Sequence, residues 1–315
     1  MILCLAYLKL RKIPIFNNTC ATGTTFKTYT MKKIKNAILA LVTILSVTPS
    51  VIAQNSLLYK VEGENIETSY VFGTVHMLPK EDFLLEEKVK TAFSESDFIV
   101  MELDMDDASM QTEMMKYAML SGDDSLQNHM TPEEYKILDE YFTAKLGVGM
   151  AAFNKMKPFI ISSTAMIAHL GQDMASFENT FVQMAGEQKK EIKGLETVAF
   201  QMSMFDEQPY EEQVDQVIEM LQKEGGIGGY FDKIIAAYKT QDIDVLYTSL
   251  NEFFENDKAF KEKMLDERNQ NWIPQIADLS KEKTVFYAVG AGHLGGEEGV
   301  ISLLQTAGYT VTPVE

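Results

Sequence analysis

The chain has 315 residues, with 28 lysines and arginines against 46 aspartates and glutamates, a formal net charge of −18. Such an acidic surface repels phosphate backbones, which argues against nucleic acid as a partner. Only two cysteines occur, Cys4 and Cys20. The chain beyond them therefore has no disulfide framework, no thiolate metal site and no cysteine nucleophile.

Residues 1–30 carry no pattern that folds and read as an extension from an upstream start codon. From Met31 the pattern changes. Lys32, Lys33 and Lys35 form a basic start, 37–47 is mostly apolar, and Val51-Ile52-Ala53 places small residues at a cleavage position. This is the order of a secretory signal. The apolar run is about half of the roughly 20 residues that span a bilayer, and no later run is longer. The expectation is a cleaved signal over 31–53, a single domain over 54–315 beginning near Gln54, and a periplasmic or extracellular product with no stable membrane span. Its acidic surface is read as a solvated one that keeps an exported protein soluble.

Runs 57–61 and 69–76 read as strands joined by a polar turn around 63–65. An amphipathic segment at 84–94 precedes a buried-type strand at 98–103. Thr131-Pro132-Glu133-Glu134 is a helix start, with a hydroxyl cap, proline at the first position and glutamate at the third. Helical periodicity continues at 159–170, 177–186, 210–223, 231–239, 245–254 and 258–279. The glycine run 225–229 reads as a break, and Pro274 as a kink or split in the last helix. A short strand-like piece, 191–195, interrupts the helices. Strand 284–289, a glycine-rich loop, helix 300–307 and strand 309–314 close the chain. The fold class expected is α/β: a mixed sheet assembled from both ends of the domain, flanked by helices, with a large helical middle.

Four histidines can be weighed one by one. His76 and His293 each end a Gly-x-x-His motif at the close of an expected strand, where open sheets present ligands. Glycine there allows the backbone to turn and approach a bound group. Glu102 ends an apolar strand, and a buried carboxylate needs a cation or arginine beside it. Two imidazoles and a carboxylate, with a position left for water, is the pattern of a hydrolytic metal site. Arg268 is the sole arginine after residue 53 and offers a planar fork for a carboxylate or a developing anion. Glu196 follows a strand-like piece and joins the candidates. His169 reads as a core histidine of its apolar helix, and His129 as part of a turn. The methionines at 101, 105, 110, 114, 115 and 119 read as core packing or a flexible apolar surface rather than a copper site. Gly290-Ala291-Gly292-His293-Leu294-Gly295 matches a dinucleotide fingerprint, but the chain stops before the remaining sheet such a site needs.

The ordered set Phe72-Gly73-Thr74-Val75-His76, Val100-Met101-Glu102-Leu103-Asp104, Lys193-Gly194-Leu195-Glu196-Thr197, Glu267-Arg268-Asn269 and Val289-Gly290-Ala291-Gly292-His293-Leu294 resembles TraB/GumN proteins. These are similar to the Tiki metalloproteases of animals, and more distantly to erythromycin esterases and ChaN-like haem-binding proteins. The resemblance implies His76 and His293 as metal ligands, Glu102 as ligand or general base, and Arg268 and Glu196 as polar site residues. The expected function is a metal-dependent hydrolase, a peptidase, using a divalent ion such as Mn, Co or Zn on a peptide or small-molecule substrate. The alternative is a non-catalytic protein that binds haem, a metal or a peptide in the same cleft, and a wide apolar slot beside the histidines would favour haem.

Overall fold

Eight strands and their connecting helices are seen in the computed structural model, which describes residues 55–315 apart from 172, 224, 253, 255 and 256. The expected extension over 1–30, signal over 31–53 and start at Gln54 lie outside the described residues. The strands are β1 (Leu58–Glu62), β2 (Ser69–Thr74), β3 (Leu78–Pro79), β4 (Phe98–Met101), β5 (Met174–Ala175), β6 (Ile192–Gly194), β7 (Val285–Gly290) and β8 (Thr310–Pro313). Six form one mixed sheet in the order β6-β4-β7-β2-β1-β8, and β3 pairs with β5 in a small second one. The parallel neighbours are β6 with β4, β4 with β7, and β7 with β2; β1 runs antiparallel to β2 and β8. The expected sheet built from both ends of the domain is therefore the observed one.

Strands buried on both faces are continuously apolar rather than alternating, and Phe98-Ile99-Val100-Met101 is buried throughout. On β7, Phe286 and Ala288 pack with Phe93, Phe177 and Phe181 on one face. Val285, Tyr287 and Val289 pack with Trp272, Ile276 and Leu304 on the other. A separate core lies among the middle helices, around Leu138, Phe142, Ile161, Val214 and Val217.

Local chemistry explains most boundaries. Thr131 and Glu134 form the reciprocal capping box of helix Pro132–Leu146, which ends at Gly147 with φ 73°. The glycine run refines the sequence expectation: Gly225 and Gly226 make the break, at φ 83° and 59°, and helix Gly226–Lys239 runs through the rest of the run. Gly228 lies so close to the His169 ring that a Cβ would collide with it. That close approach outweighs the weak helix propensity of glycine. His169 is nonetheless exposed, against the expectation of a core histidine. Pro274 neither splits nor ends helix Glu267–Leu279; the irregularity comes earlier, as a π-helical turn over Glu262–Asp266. The methionine spacing over 101–119 follows a helix face, and helix Met110–Ala118 is found there; helix Val198–Asp206 was not expected from periodicity. Met101 is in the core, whereas Met114, Met115 and Met119 are exposed. None of the helices among the described residues is long and apolar enough to cross a membrane.

Candidate active site

Strand register alone gathers the main candidates. Thr74 pairs with Gly290, Ala288 with Met101, and Met101 with Gly194, so four neighbouring parallel strands end at nearly the same level. His76, Glu102, Glu196 and His293 follow the ends of β2, β4, β6 and β7 within a few residues. This is the carboxyl edge where open sheets bind ligands. The glycines of the two Gly-x-x-His motifs serve close packing at this edge. A Cβ at Gly73 would meet Leu294 Cδ1 at 2.7 Å and Ala291 Cβ at 2.9 Å, so the first motif leaves room for the turn of the second. One at Gly290 would stand 3.1 Å from Glu102 Oε1.

Arg268 enters from helix Glu267–Leu279, is only 4% exposed, and organises the carboxylates. Its Nε donates to Glu196 Oε1 at 2.9 Å, and Nη2 donates to Glu102 Oε2 at 2.6 Å and to Glu196 Oε2 at 2.8 Å. Nη1 donates to the Met264 carbonyl, in the π-helical turn, at 2.9 Å and faces His293 Nε2 at 3.3 Å. A guanidinium has five N–H groups, and these contacts use them all. Gln201 Nε2 reaches both Glu102 Oε2 and Glu196 Oε2, at 3.1 and 2.9 Å. Trp272 Nε1 donates to Glu196 Oε1 at 2.8 Å, and the Gly290 N–H to Glu102 Oε1 at 2.8 Å. Arg268 is thus buried and bonded, not an exposed helix arginine.

His293 is 4% exposed and tilted against Trp272, with ring centroids 4.4 Å apart. Its Nδ1 lies 2.6 Å from Asn269 Oδ1, and Asn269 Nδ2 donates to the Glu298 carbonyl at 2.7 Å. The second bond fixes the amide, so its oxygen accepts and His293 carries its proton on Nδ1. Burial pushes the imidazole down to about 3, helped by the charges of Arg268 and His76 and opposed by Glu102. The neutral ring therefore presents a bare Nε2, 3.9 Å from Glu102 Oε1. Burial pushes Glu102 up, yet nearby positive charge and the Gly290 N–H outweigh it and hold the carboxyl at about 2. With His293 neutral, Arg268, the protonated His76 and the Gly290 N–H are the partners that persist near neutral pH.

His76 sits in the opposite setting. Its side chain is 71% exposed, opening into the cavity described below, and Nδ1 lies 2.9 Å from Glu178 Oε1. Glu178 is itself held by the Thr74 hydroxyl at 2.6 Å and the Ser176 hydroxyl at 3.0 Å. The bond to Glu178 raises His76 to about 9 against the downward push of burial. One cavity of about 450 Å³ is lined by His76, Glu102, Arg268, Gly290 and His293 at one end. Helices Pro158–Leu170, Tyr210–Gln222, Gly226–Lys239 and Ile243–Asn251 wall the remainder with largely apolar side chains. Glu196 lies behind Arg268 and does not line it. His129 stands apart in turn Leu126–His129, bridging Asp124 and Glu211 at 2.9 and 2.8 Å.

Sequence reasoning missed Glu178, Gln201, Asn269 and Trp272. Asn269 adjoins Arg268 and Trp272 lies one turn on, so the helical spacing of 268, 269 and 272 was a usable signal. Glu178 and Gln201 sit early in helices with nothing to distinguish them from surface residues.

The donor chemistry fits a divalent ion in part. Each histidine has its Nδ1 tied to an acceptor, the usual way a protein sets Nε2 as a metal donor. Against this, both oxygens of Glu102 are occupied by N–H donors, and Arg268 stands beside His293 Nε2. Among the described residues, no group of three or more histidine, cysteine, aspartate or glutamate side chains is placed to hold an ion.

The metalloprotease TIKI1 of Danio rerio is 24% identical over 312 residues, 82% of this chain and 63% of its own length. The metalloprotease TIKI1 of Xenopus tropicalis is 24% identical over 316 residues, 82% of this chain and 61% of its own. The chain thus spans a little over three-fifths of these relatives. No solved structure matches. The model of the TraB/PrgY/gumN family matches residues 57–313, every described strand included, and the chain belongs to that family.

Proposed function

We propose that this chain is an exported, metal-dependent hydrolase that cleaves peptides at the carboxyl edge of its sheet. One observation carries the reading: His76 and His293, from two distant Gly-x-x-His motifs, line one cavity with each Nδ1 held by a built acceptor. They would hold a divalent ion such as Mn, Co or Zn through Nε2, with Glu102 beside them. Such an ion supplies Lewis-acid polarisation of a carbonyl when bound.

The chain's own groups then have distinct tasks. Glu102 is ionised across the working pH range and offers an acceptor to a water or an amide N–H. Its carboxyl at about 2 makes it a weak base while Arg268 holds it, because proton transfer is most efficient when the pKa lies near the working pH. Arg268 is chiefly a positioning residue for Glu102 and Glu196; of its N–H groups, only the one facing His293 at 3.3 Å can turn to a substrate oxygen. Glu196, bonded to Trp272 and Gln201, holds the guanidinium plane from behind. The curated relatives are named metalloproteases, which favours a peptide bond as the target.

A haem-binding role is less well supported, although the cavity is apolar. Arg268 is its only lysine or arginine among the described residues, and it is already bonded to two carboxylates. The two propionates of a haem would find no free cation. Metal analysis of the purified protein, then peptide-library cleavage with and without a chelator, tests the proposal. Chelation should abolish cleavage, readdition of one divalent ion should restore it, and His76→Ala and His293→Ala should each lose the metal. Cleavage indifferent to chelator, or both variants retaining metal, would overturn it. Export is tested by N-terminal sequencing from the native host: a start near Gln54 supports it, and full-length cytosolic protein refutes it.

A further inference from the structure

The helical end of the cavity has no part in the chemistry described above, yet it makes up most of the wall. Phe159, Met166, Met220, Ile227, Ile234 and Leu250 face it, with no lysine and no carboxylate beyond the strand-end cluster among the described residues. A charged ligand would enter this end without a counter-ion, which is costly in a desolvated site. An uncharged apolar group would displace water from apolar surface. The volume, about 450 Å³, lies within the range of sites that enclose small organic ligands.

Gln213, on helix Tyr210–Gln222, is 5% exposed and borders the cavity. Its Nε2 donates to the Phe205 carbonyl at 2.6 Å and to the Gln208 carbonyl at 2.9 Å, which fixes the amide. Its Oε1 has no donor among the described residues and less than 1 Å² of accessible surface, so it lies behind the wall and a ligand in the cavity does not reach it.

From this apolar, uncharged wall we infer that the helical chamber is a subsite for an uncharged peptide segment carrying a bulky apolar side chain. The inference rests on the peptide reading proposed above and specifies its substrate. It places the apolar residue directly beside the strand-end cluster, because the same cavity runs from Met220 and Ile227 to His293. Specificity would come from the helices, and chemistry from the sheet.

Binding to chelator-treated protein tests this separately from catalysis, because no cleavage is needed. Calorimetric titration with acetyl-Gly-X-Gly-amide, where X is Phe, Leu, Gly or Glu, should give Phe and Leu at least tenfold tighter than Gly or Glu. Sodium octanoate, apolar but anionic, should bind no better than the Glu peptide. Met220→Glu should reduce Phe-peptide binding at least tenfold, and Ser163→Glu, an exposed position on the chamber rim, should do the same more weakly if the first variant does not fold. Equal binding of all four peptides, or tight binding of octanoate, would overturn the chamber assignment. Apolar selectivity without any metal-dependent cleavage would instead sink the hydrolase reading and leave this inference standing.

Discussion

The two Gly-x-x-His corners share a local motif, a sheet edge and a cavity, and their imidazoles are set in opposite ways. At His293 the ring is buried, bonded to a neutral amide and beside a guanidinium, so burial holds it at about 3. At His76 the ring is open to the cavity and bonded to a carboxylate, which raises it to about 9. A short motif can place a histidine; its charge is decided by burial at one corner and by a bonded carboxylate at the other. The difference gives the site one pre-neutralised nitrogen donor and one that must release a proton before it can coordinate, since metal ligands bind in the deprotonated form.

The largest effect that would break this comparison is expected on the His293 side. Arg268→Leu removes the cation from two nearly buried carboxylates and should destabilise the protein by about 3–5 kcal/mol, measured by urea unfolding. A loss below ~1 kcal/mol would mean that Glu102 and Glu196 do not depend on it. His293→Ala comes next: it leaves Asn269 Oδ1 without its donor in a buried site, at a cost of about 1–3 kcal/mol. His76→Ala, at an open position, should cost less than either, because cavity water screens the His76 end of its ion pair with Glu178. Similar losses for the two alanine variants would erase the distinction between the corners.

Acid and base titration sharpens the same contrast. In metal-free protein, NMR should find His293 neutral down to about pH 3 and His76 protonated up to about pH 9. His293 is depressed below its ordinary value near 6.5, so its contribution to stability is present above that pH and lost as pH falls toward 3. His76 is raised, so its contribution is complete below about 6.5 and fades as pH climbs toward 9. A common midpoint for the two rings would show that burial at His293 and the Glu178 carboxylate at His76 do not set them apart. The mildest perturbation is Glu178→Gln, which keeps an acceptor but removes its charge. The His76 midpoint should then fall well below 9 while His293 stays in place, with little change in unfolding midpoint. An unchanged His76 would mean the raising charge lies elsewhere.

How much of this was legible depended on whether the signal was local. Strand positions were readable because Phe98-Ile99-Val100-Met101 and Val285-Phe286-Tyr287-Ala288 are apolar runs too short for helices. The capping box at Thr131 was readable because both of its bonds lie within four residues. Helix Gly226–Lys239 was misjudged at its start because Gly228 is dictated by His169, a neighbour in space only. The exposure of His169 was misjudged for the same reason. Pro274 was expected to break a helix that packing of Trp272 and Ile276 against the sheet keeps intact.

The site divides along the same line. Sequence by itself determined that His76, Glu102, Glu196 and His293 close strands and that Arg268 is the one guanidinium available to them. These follow from the period of apolar residues and from composition, which are properties of the chain read in order. Only the tertiary structure decided that Arg268 spends its five N–H groups on the site's own residues, that Asn269 and Glu178 fix the two rings, and that four helices close an apolar chamber beside them. Charge state, tautomer and cavity shape arise from burial and from partners on other elements, 24 residues away for His293 and Asn269 and 102 for His76 and Glu178, and no local pattern carries that information.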